Sequence, residues 1–144
     1  MSRAAWNDLG VTDLQIHELM TNYEAAFNRL DSAAVAEFYD HPSAIVDANA
    51  TAIFSNKTAI YENMQLLTQY YRSIGFTSAE PTRIDIEHVS AEMAEVDAGW
   101  TMHLATGSVQ FATRYWIVDR SDGPRIASVL AYSEKQATGN RQRS

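Results

Sequence analysis

The chain has 144 residues and a formal net charge of −7, from 11 basic and 18 acidic residues. Hydrophobic residues make up 46% of the composition, which is typical of a compact domain with a single core. Because no basic cluster could follow a phosphate backbone, we expect no nucleic-acid partner. There is no cysteine, which excludes disulfides and thiolate chemistry.

No stretch approaches the roughly 20 apolar residues of a membrane span, and the N-terminal sequence MSRAAWNDLG lacks the pattern of a signal peptide. We therefore expect a cytoplasmic protein with no membrane partner. The predicted organisation is an irregular segment over residues 1–11, a single domain over 12–134 and a polar, flexible tail over 135–144.

A long helix opens the predicted domain. Thr12 and Gln15 have the spacing of a capping box, and apolar residues then recur at steps of three and four. The residues of this apolar stripe are Ile16, Leu19, Met20, Tyr23, Ala26, Phe27 and Leu30. The pattern predicts a first helix over about residues 13–30.

A short helix and a strand follow. Residues 31–32 offer two caps for the second helix, which Pro42 prevents from continuing. Alternation over residues 43–48 then predicts a strand in which Ile45 and Asp47 share a face. If Ile45 points into the core, Asp47 does so too. The alternative is a carboxylate at the strand end that faces solvent or caps the following turn.

The rest of the chain predicts one more helix and a run of strands. After a short strand over residues 51–54, Ser55 can cap a third helix that ends at Gly75, a natural left-handed residue. Four strands that alternate with period two follow, with turns at residues 90–92, 106–107 and 121–124. The sequence therefore predicts an α+β domain whose three helices pack on one face of a strongly curved, mostly antiparallel sheet.

This order resembles the cone-shaped, cystatin-like half-barrel of the nuclear transport factor 2-like superfamily, which includes ketosteroid isomerases and SnoaL-like polyketide cyclases. The similarity covers roughly residues 12–134. Its most specific parts are LMTNY in the first helix and the following NRLDSAAVAEFYDHPSAIVD, with weaker support from FSNKTAI and DGPRIASVLAYSE.

The resemblance implies roles for individual residues. In ketosteroid isomerases a helix-one Tyr donates to the developing oxyanion, a strand Asp moves the proton and a protonated late-strand Asp is a second donor. Tyr23 and Asp47 match the first two positions in spacing and are the candidate catalytic residues. Arg114 stands at or beside the third position, where this chain has no carboxylic acid, so steroid isomerase activity is not expected.

Each of these residues has an alternative structural role. Tyr23 can line a pocket or simply belong to the core. Arg114 lies inside a predicted strand, where a guanidinium usually needs a carboxylate such as Asp47 or Asp97. Alternatively, Arg114 lies on the exposed face of the sheet.

The strands around Arg114 have one polar and one apolar face if residues 106–107 form a two-residue turn. Counting from the isomerase-like positions places the Arg114 face inside, so a second subunit would cover the apolar face. We therefore expect a homodimer through Trp100, Met102, Phe111, Thr113 and Tyr115. A bulge or a longer turn would reverse the faces. Arg114 would then lie outside, and the residues lining an apolar cavity would be Trp100, Met102, Phe111 and Tyr115.

The leading functional hypothesis is a domain that binds a small apolar or aromatic molecule, with an anionic ligand as an option, in a pocket inside the cone. The candidate ligand-binding residues are Tyr23, Phe27, Asp47, Met64, His103, Arg114 and Trp116. A second hypothesis is a cofactor-independent isomerase, cyclase or dehydratase in which Asp47 shuttles a proton. The third is a non-catalytic protein-interaction module.

No cofactor or metal is expected. The chain has no Gly-rich phosphate loop and no serine-centred nucleophile elbow. Its four histidines show no metal-ligand spacing with each other or with carboxylates; they are His17, His41, His88 and His103.

Overall fold

The structure, a computed structural model, describes residues 10–132. The predicted segment 1–11, apart from its last two residues, and the predicted tail 135–144 lie outside the described residues. The elements in chain order are α1 (Asp13–Asn28), α2 (Ser32–Ala36), β1 (Tyr39–Val46), β2 (Thr51–Phe54), α3 (Lys57–Ser73), β3 (Phe76–His88), β4 (Met93–Leu104), β5 (Gly107–Arg120) and β6 (Gly123–Tyr132). This is the predicted order of helices and strands.

The helix starts follow from local hydrogen bonding. The capping box before α1 is confirmed, because the Thr12 hydroxyl accepts from the Gln15 N–H and the Gln15 side chain accepts from the Thr12 N–H. Asp31 caps α2. The cap of α3 is Asn56, one residue beyond the predicted Ser55, since an Asn oxygen also satisfies the free N–H groups of the first turn.

The six strands form one mixed sheet in the order β2-β1-β6-β5-β4-β3. β1 and β6 pair in parallel, whereas the other neighbouring strands are antiparallel. Edges therefore remain at β2 and β3, and the sheet is curved without closing into a barrel.

The turn between β4 and β5 lies one residue earlier than predicted. It uses residues 105–106, so Leu104 pairs with Gly107, which has a φ of 147°. The pairing is shifted by two residues from the predicted register, and a shift of two leaves every side chain on its predicted face. The separation into one polar and one apolar face is therefore correct.

The helices cover one face of the sheet, and the core lies between the two layers. Fully buried side chains of all three helices meet buried residues of β4, β5 and β6 there. Among the largest of these are Ile16, Met20, Val35, Ile60, Met64, Val96, Ile117 and Ile126. Within the described residues, no helix is long and apolar enough to cross a membrane.

Candidate functional site

A small cavity lies between the helices and the inner face of the sheet. The volume of the cavity itself is about 50 Å³. The total rises to about 400 Å³ when the open space at the mouth of the cavity is counted. The residues that line it come from α1, α3, β3, β4 and β5: Tyr23, Glu24, Phe27, Tyr71, Phe76, Ala79, Trp100, Met102, Phe111 and Tyr115. Seven of these ten residues are aromatic.

The periodicity of each element explains why these residues converge. Tyr23 and Phe27 are four residues apart on α1 and so lie on one face of the helix, one turn apart. Trp100 and Met102 alternate along β4, and Phe111 lies opposite Trp100 on β5. The inner wall is therefore the apolar face that the strand pattern predicts.

The rings pack against each other along the cavity. The Tyr23 ring centroid lies 5.3 Å from that of Phe27 and 5.7 Å from that of Tyr115, both in edge-to-face geometry. Tyr71 stacks on Phe76 with centroids 5.4 Å apart and an angle of 14° between the planes. Edge-to-face and offset-stacked pairs are the favoured arrangements of aromatic rings, so these contacts fix the shape of the wall.

The buried polar groups near this wall are uncharged. The hydroxyls of Tyr23 and Tyr39 are 2.7 Å apart, and the Trp100 indole N–H donates to the Thr113 hydroxyl over 2.8 Å. Burial, and then the neighbouring phenols, raise the pKa of Tyr23, and burial is also the main cause of the raised pKa of Tyr115. These phenols stay protonated near neutral pH and can act as hydrogen-bond donors.

Among the described residues that line the cavity, Glu24 has the only charged side chain. Desolvation raises its pKa, and the charge of Glu80 on β3 raises it further. The Glu80 carboxylate lies 3.0 Å from Nε2 of His103. Within residues 10–132, the wall is thus apolar with one carboxylate and no basic residue.

The structure brings two of the predicted ligand-binding residues to this cavity. Tyr23 and Phe27 line it. Met64 is fully buried at 1% exposure, but it belongs to the core and does not line the cavity.

Asp47 lies elsewhere. It is exposed at the end of β1, and one of its carboxylate oxygens accepts from the N–H groups of Asn49 (2.8 Å) and Ala50 (2.9 Å). This is a turn cap, the alternative role considered above, and it arises because a short Asp side chain readily bonds the backbone two or three residues further on. Asp47 is therefore absent from the cavity and cannot exchange a proton with a ligand there.

Three further predicted residues lie on β4 or β5 but do not line the cavity. Arg114 is exposed on the outer face, where its guanidinium bonds Glu95 (3.1 Å) and Asp97 (3.3 Å). Of the two proposed partners of Arg114, Asp97 is the observed one. His103 bonds Glu80 and the Ser108 hydroxyl, and Trp116 is half-buried on the Arg114 side of β5.

The favoured prediction, which placed the Arg114 face of β4 and β5 inside, is therefore wrong. Trp100, Thr113 and Tyr115 are between 2% and 6% exposed, because the helices of the same chain already cover them. No bulge between β4 and β5 is needed to bring them inside. These residues cannot form a dimer interface. Dimerisation itself stays a prediction, but the surface predicted for it is buried inside the chain.

Sequence reasoning missed Glu24, Ala79 and Phe76 as residues of the site. Glu24 follows Tyr23 on α1, and a glutamate on a helix is usually expected to face solvent. Tyr71 was not assigned to a pocket either, although it follows Met64 and Leu67 at helical spacing on the third helix. The aromatic residues Tyr23 and Phe27 on the first helix and Tyr71 on the third were the signal that could have found the cavity wall, since the ring centroids of Phe27 and Tyr71 lie 5.8 Å apart.

Among the described residues, the cavity wall combines seven aromatic rings, three of which carry tyrosine hydroxyls, with the carboxylate of Glu24. Within residues 10–132, no group of three His, Cys, Asp or Glu residues could hold a metal ion.

The fold is that of an NTF2-like domain. The chain matches the family described as NTF2-like protein (DUF6841) over residues 12–134. Because the match covers most of the sequence, the chain belongs to that family, and the resemblance inferred from its sequence is confirmed. No curated protein matches the chain.

Solved structures show the same fold at low sequence identity. An NTF-2-like protein of unknown function from Shewanella oneidensis is 18% identical, with a TM-score of 0.68, and the match covers 81% of this chain and 95% of that one. An NTF2-like protein with a cystatin-like fold from Novosphingobium aromaticivorans is 15% identical, with a TM-score of 0.68 and coverages of 89% and 85%. A protein from Catenulispora acidiphila in complex with S-DNPA is 12% identical, with a TM-score of 0.67 and coverages of 88% and 96%.

Proposed function

We propose that this protein is a small-molecule-binding domain whose cavity takes one compact apolar or aromatic molecule. The observation that carries the proposal is the cavity itself, which seven aromatic residues line between the helices and the sheet. Binding pockets for small molecules are concave and mostly apolar, with a few polar groups that set the orientation of the ligand.

The tyrosine hydroxyls of the wall suit a ligand that carries one oxygen atom as a hydrogen-bond acceptor. Tyr23 and Tyr115 stay protonated because burial raises their pKa values, so each can donate to a carbonyl or hydroxyl oxygen. Such donors are preorganised by their packing against neighbouring rings. The Catenulispora acidiphila protein, which has the same fold, was solved in complex with S-DNPA, and that complex is compatible with ligand binding in this fold.

Calorimetric titration with p-cresol tests the proposal. It combines one ring with one hydroxyl, and we expect a dissociation constant on the order of 0.1–1 mM from its few heavy atoms. Ala79→Leu places a larger side chain in the wall and is expected to weaken binding at least tenfold. Ala52→Leu makes the same change on the exposed edge strand β2 and is expected to leave binding unchanged.

Absence of p-cresol binding to the wild type contradicts the proposal. Equal binding by the wild type and by Ala79→Leu contradicts it as well, because the bound molecule would then lie outside the cavity. Thermal unfolding of both variants checks that each is folded.

A further inference from the structure

The aromatic wall and the carboxylate of Glu24 occur together in one cavity. Among the hydrogen bonds and ion pairs of residues 10–132, none uses the Glu24 carboxylate, although this side chain is half-buried beside Tyr23 and Phe27. The bonds that Asn28 makes nearby go to the backbone carbonyls of Glu24 and Ala79 instead. The carboxylate is therefore available to a bound group.

The carboxylates at the cavity give it a negative charge. None of the described residues that line the cavity is basic, and Glu80 is near enough for its charge to act on Glu24. The nearby His103 bonds Glu80 rather than Glu24. The chain as a whole carries a formal charge of −7, which adds to the attraction of cations towards the cavity.

The aromatic rings that line the cavity also favour a positively charged ligand. The face of a Trp or Tyr ring carries negative potential, and a cation within about 6 Å of its centroid is attracted to it. Trp100, Tyr23, Tyr71 and Tyr115 all line the cavity, and aromatic cages of this composition recognise quaternary ammonium groups. The anionic option considered from the sequence depended on Arg114, which lies on the outer face with Glu95 and Asp97.

We propose that the cavity selects organic cations, with an alkylated ammonium group held between the aromatic rings and the Glu24 carboxylate. This inference rests on the proposed function, because it names the class of small molecule that the same cavity binds. Glu24 is then the residue that determines charge specificity.

Choline and 3,3-dimethylbutan-1-ol provide the test, because they share shape and hydroxyl group and differ in the charge of one atom. For the wild type we expect choline to bind about tenfold more tightly than the neutral alcohol, as a desolvated cation–π contact with a nearby carboxylate would give. In Glu24→Gln we expect this ratio to fall to about two or less, while the affinity for the neutral alcohol changes less than twofold. Glu24 is only partly buried, so the variant should fold normally.

Glu18→Gln is the matched control. It removes the same charge from the same helix α1, at an exposed position that does not line the cavity. The choline preference should survive in this variant, and its loss there would overturn a specific role for Glu24.

The remaining outcomes separate this inference from the proposed function. If the neutral alcohol binds and choline binds no more tightly, the cation preference is wrong while small-molecule binding stands. If choline, the neutral alcohol and p-cresol all fail to bind to the wild type, both proposals are wrong.

Discussion

The two faces of strands β4 and β5 differ in how they hold their polar groups. On the inner face, Trp100 and Thr113 bond each other through an indole N–H and a hydroxyl, without a formal charge. On the outer face, Asp97 accepts from Tyr132 (2.8 Å) and Arg114 (3.3 Å) and lies 3.4 Å from a guanidinium nitrogen of Arg83. The side chains of adjacent residues in the same strands therefore lie in two different electrostatic environments.

The pKa shifts on the two faces show the same difference. Burial raises the pKa of Tyr115 on the inner face and so keeps its neutral form. Partial burial of Asp97 on the outer face also acts to raise its pKa, but the bonds from Tyr132 and Arg114 and the charge of Arg83 outweigh it and lower the pKa. The sheet thus separates a face whose buried hydroxyl and indole groups are uncharged from a face stabilised by ion pairs.

The largest expected effect is on the inner face. Trp100→Ala removes a side chain that is 5% exposed and should lower the free energy of unfolding by about 3–5 kcal/mol. Thr101→Ala changes the next residue, which faces outward, and should cost less than about 1 kcal/mol. Denaturant unfolding of both variants measures the difference. Similar losses for the two would contradict the assignment of faces.

Alkaline pH should destabilise the inner face. A phenol whose pKa is raised in the folded state is held in its neutral form, so its contribution is complete below the ordinary value of 10 and is lost as pH rises towards the folded value. Each buried tyrosine should therefore reduce the free energy of unfolding by up to about 1.4 kcal/mol per pH unit above 10.

Tyr115→Phe tests this linkage. The variant should lose stability less steeply than the wild type between pH 10 and 11, because one linked proton is removed. Measurement of the unfolding free energy at several pH values gives the two slopes. Identical slopes would show that Tyr115 ionises as it does in the unfolded chain.

Acid pH should weaken the outer face by a smaller amount. Because the pKa of Asp97 is lowered in the folded state, its contribution is complete above the unfolded value near 3.8 and is lost as pH falls through the folded value. Asp97→Asn should therefore cost about 1–2 kcal/mol at pH 7 and much less at pH 2. Asp85→Asn, at a side chain that is 68% exposed, should cost less than about 0.5 kcal/mol at either pH. A cost for Asp97→Asn that is the same at both pH values would contradict the linkage.

Local signals in the sequence were sufficient to predict most of the fold. The capping box of Thr12 and Gln15, the glycine at position 75 with a φ of 81° and the alternation along β4 and β5 all depend on neighbouring residues only. Each is determined by backbone hydrogen bonding or by side-chain direction. The element order and the α+β class followed from them.

The site was harder to predict because it depends on which face of the sheet is inside. Alternation shows that Trp100 and Arg114 lie on opposite faces, but it does not show which of them the helices cover. The favoured assignment was counted from the isomerase-like positions, where Arg114 stands at or beside the third one. Because successive side chains of a strand point to opposite faces, a count that is off by one residue exchanges the inner and outer faces.

Binding inside the cavity is the central claim, and the indole N–H of Trp100 reports on it directly. Trp100 lines the cavity and its indole N–H donates to the Thr113 hydroxyl, whereas Trp116 lies on the opposite side of the sheet and provides an internal control. In a titration with p-cresol followed by ¹H–¹⁵N NMR, the Trp100 indole signal should shift progressively and saturate while that of Trp116 stays in place. A Trp100 signal that does not move at saturating p-cresol, or a shift confined to Trp116, would contradict the account.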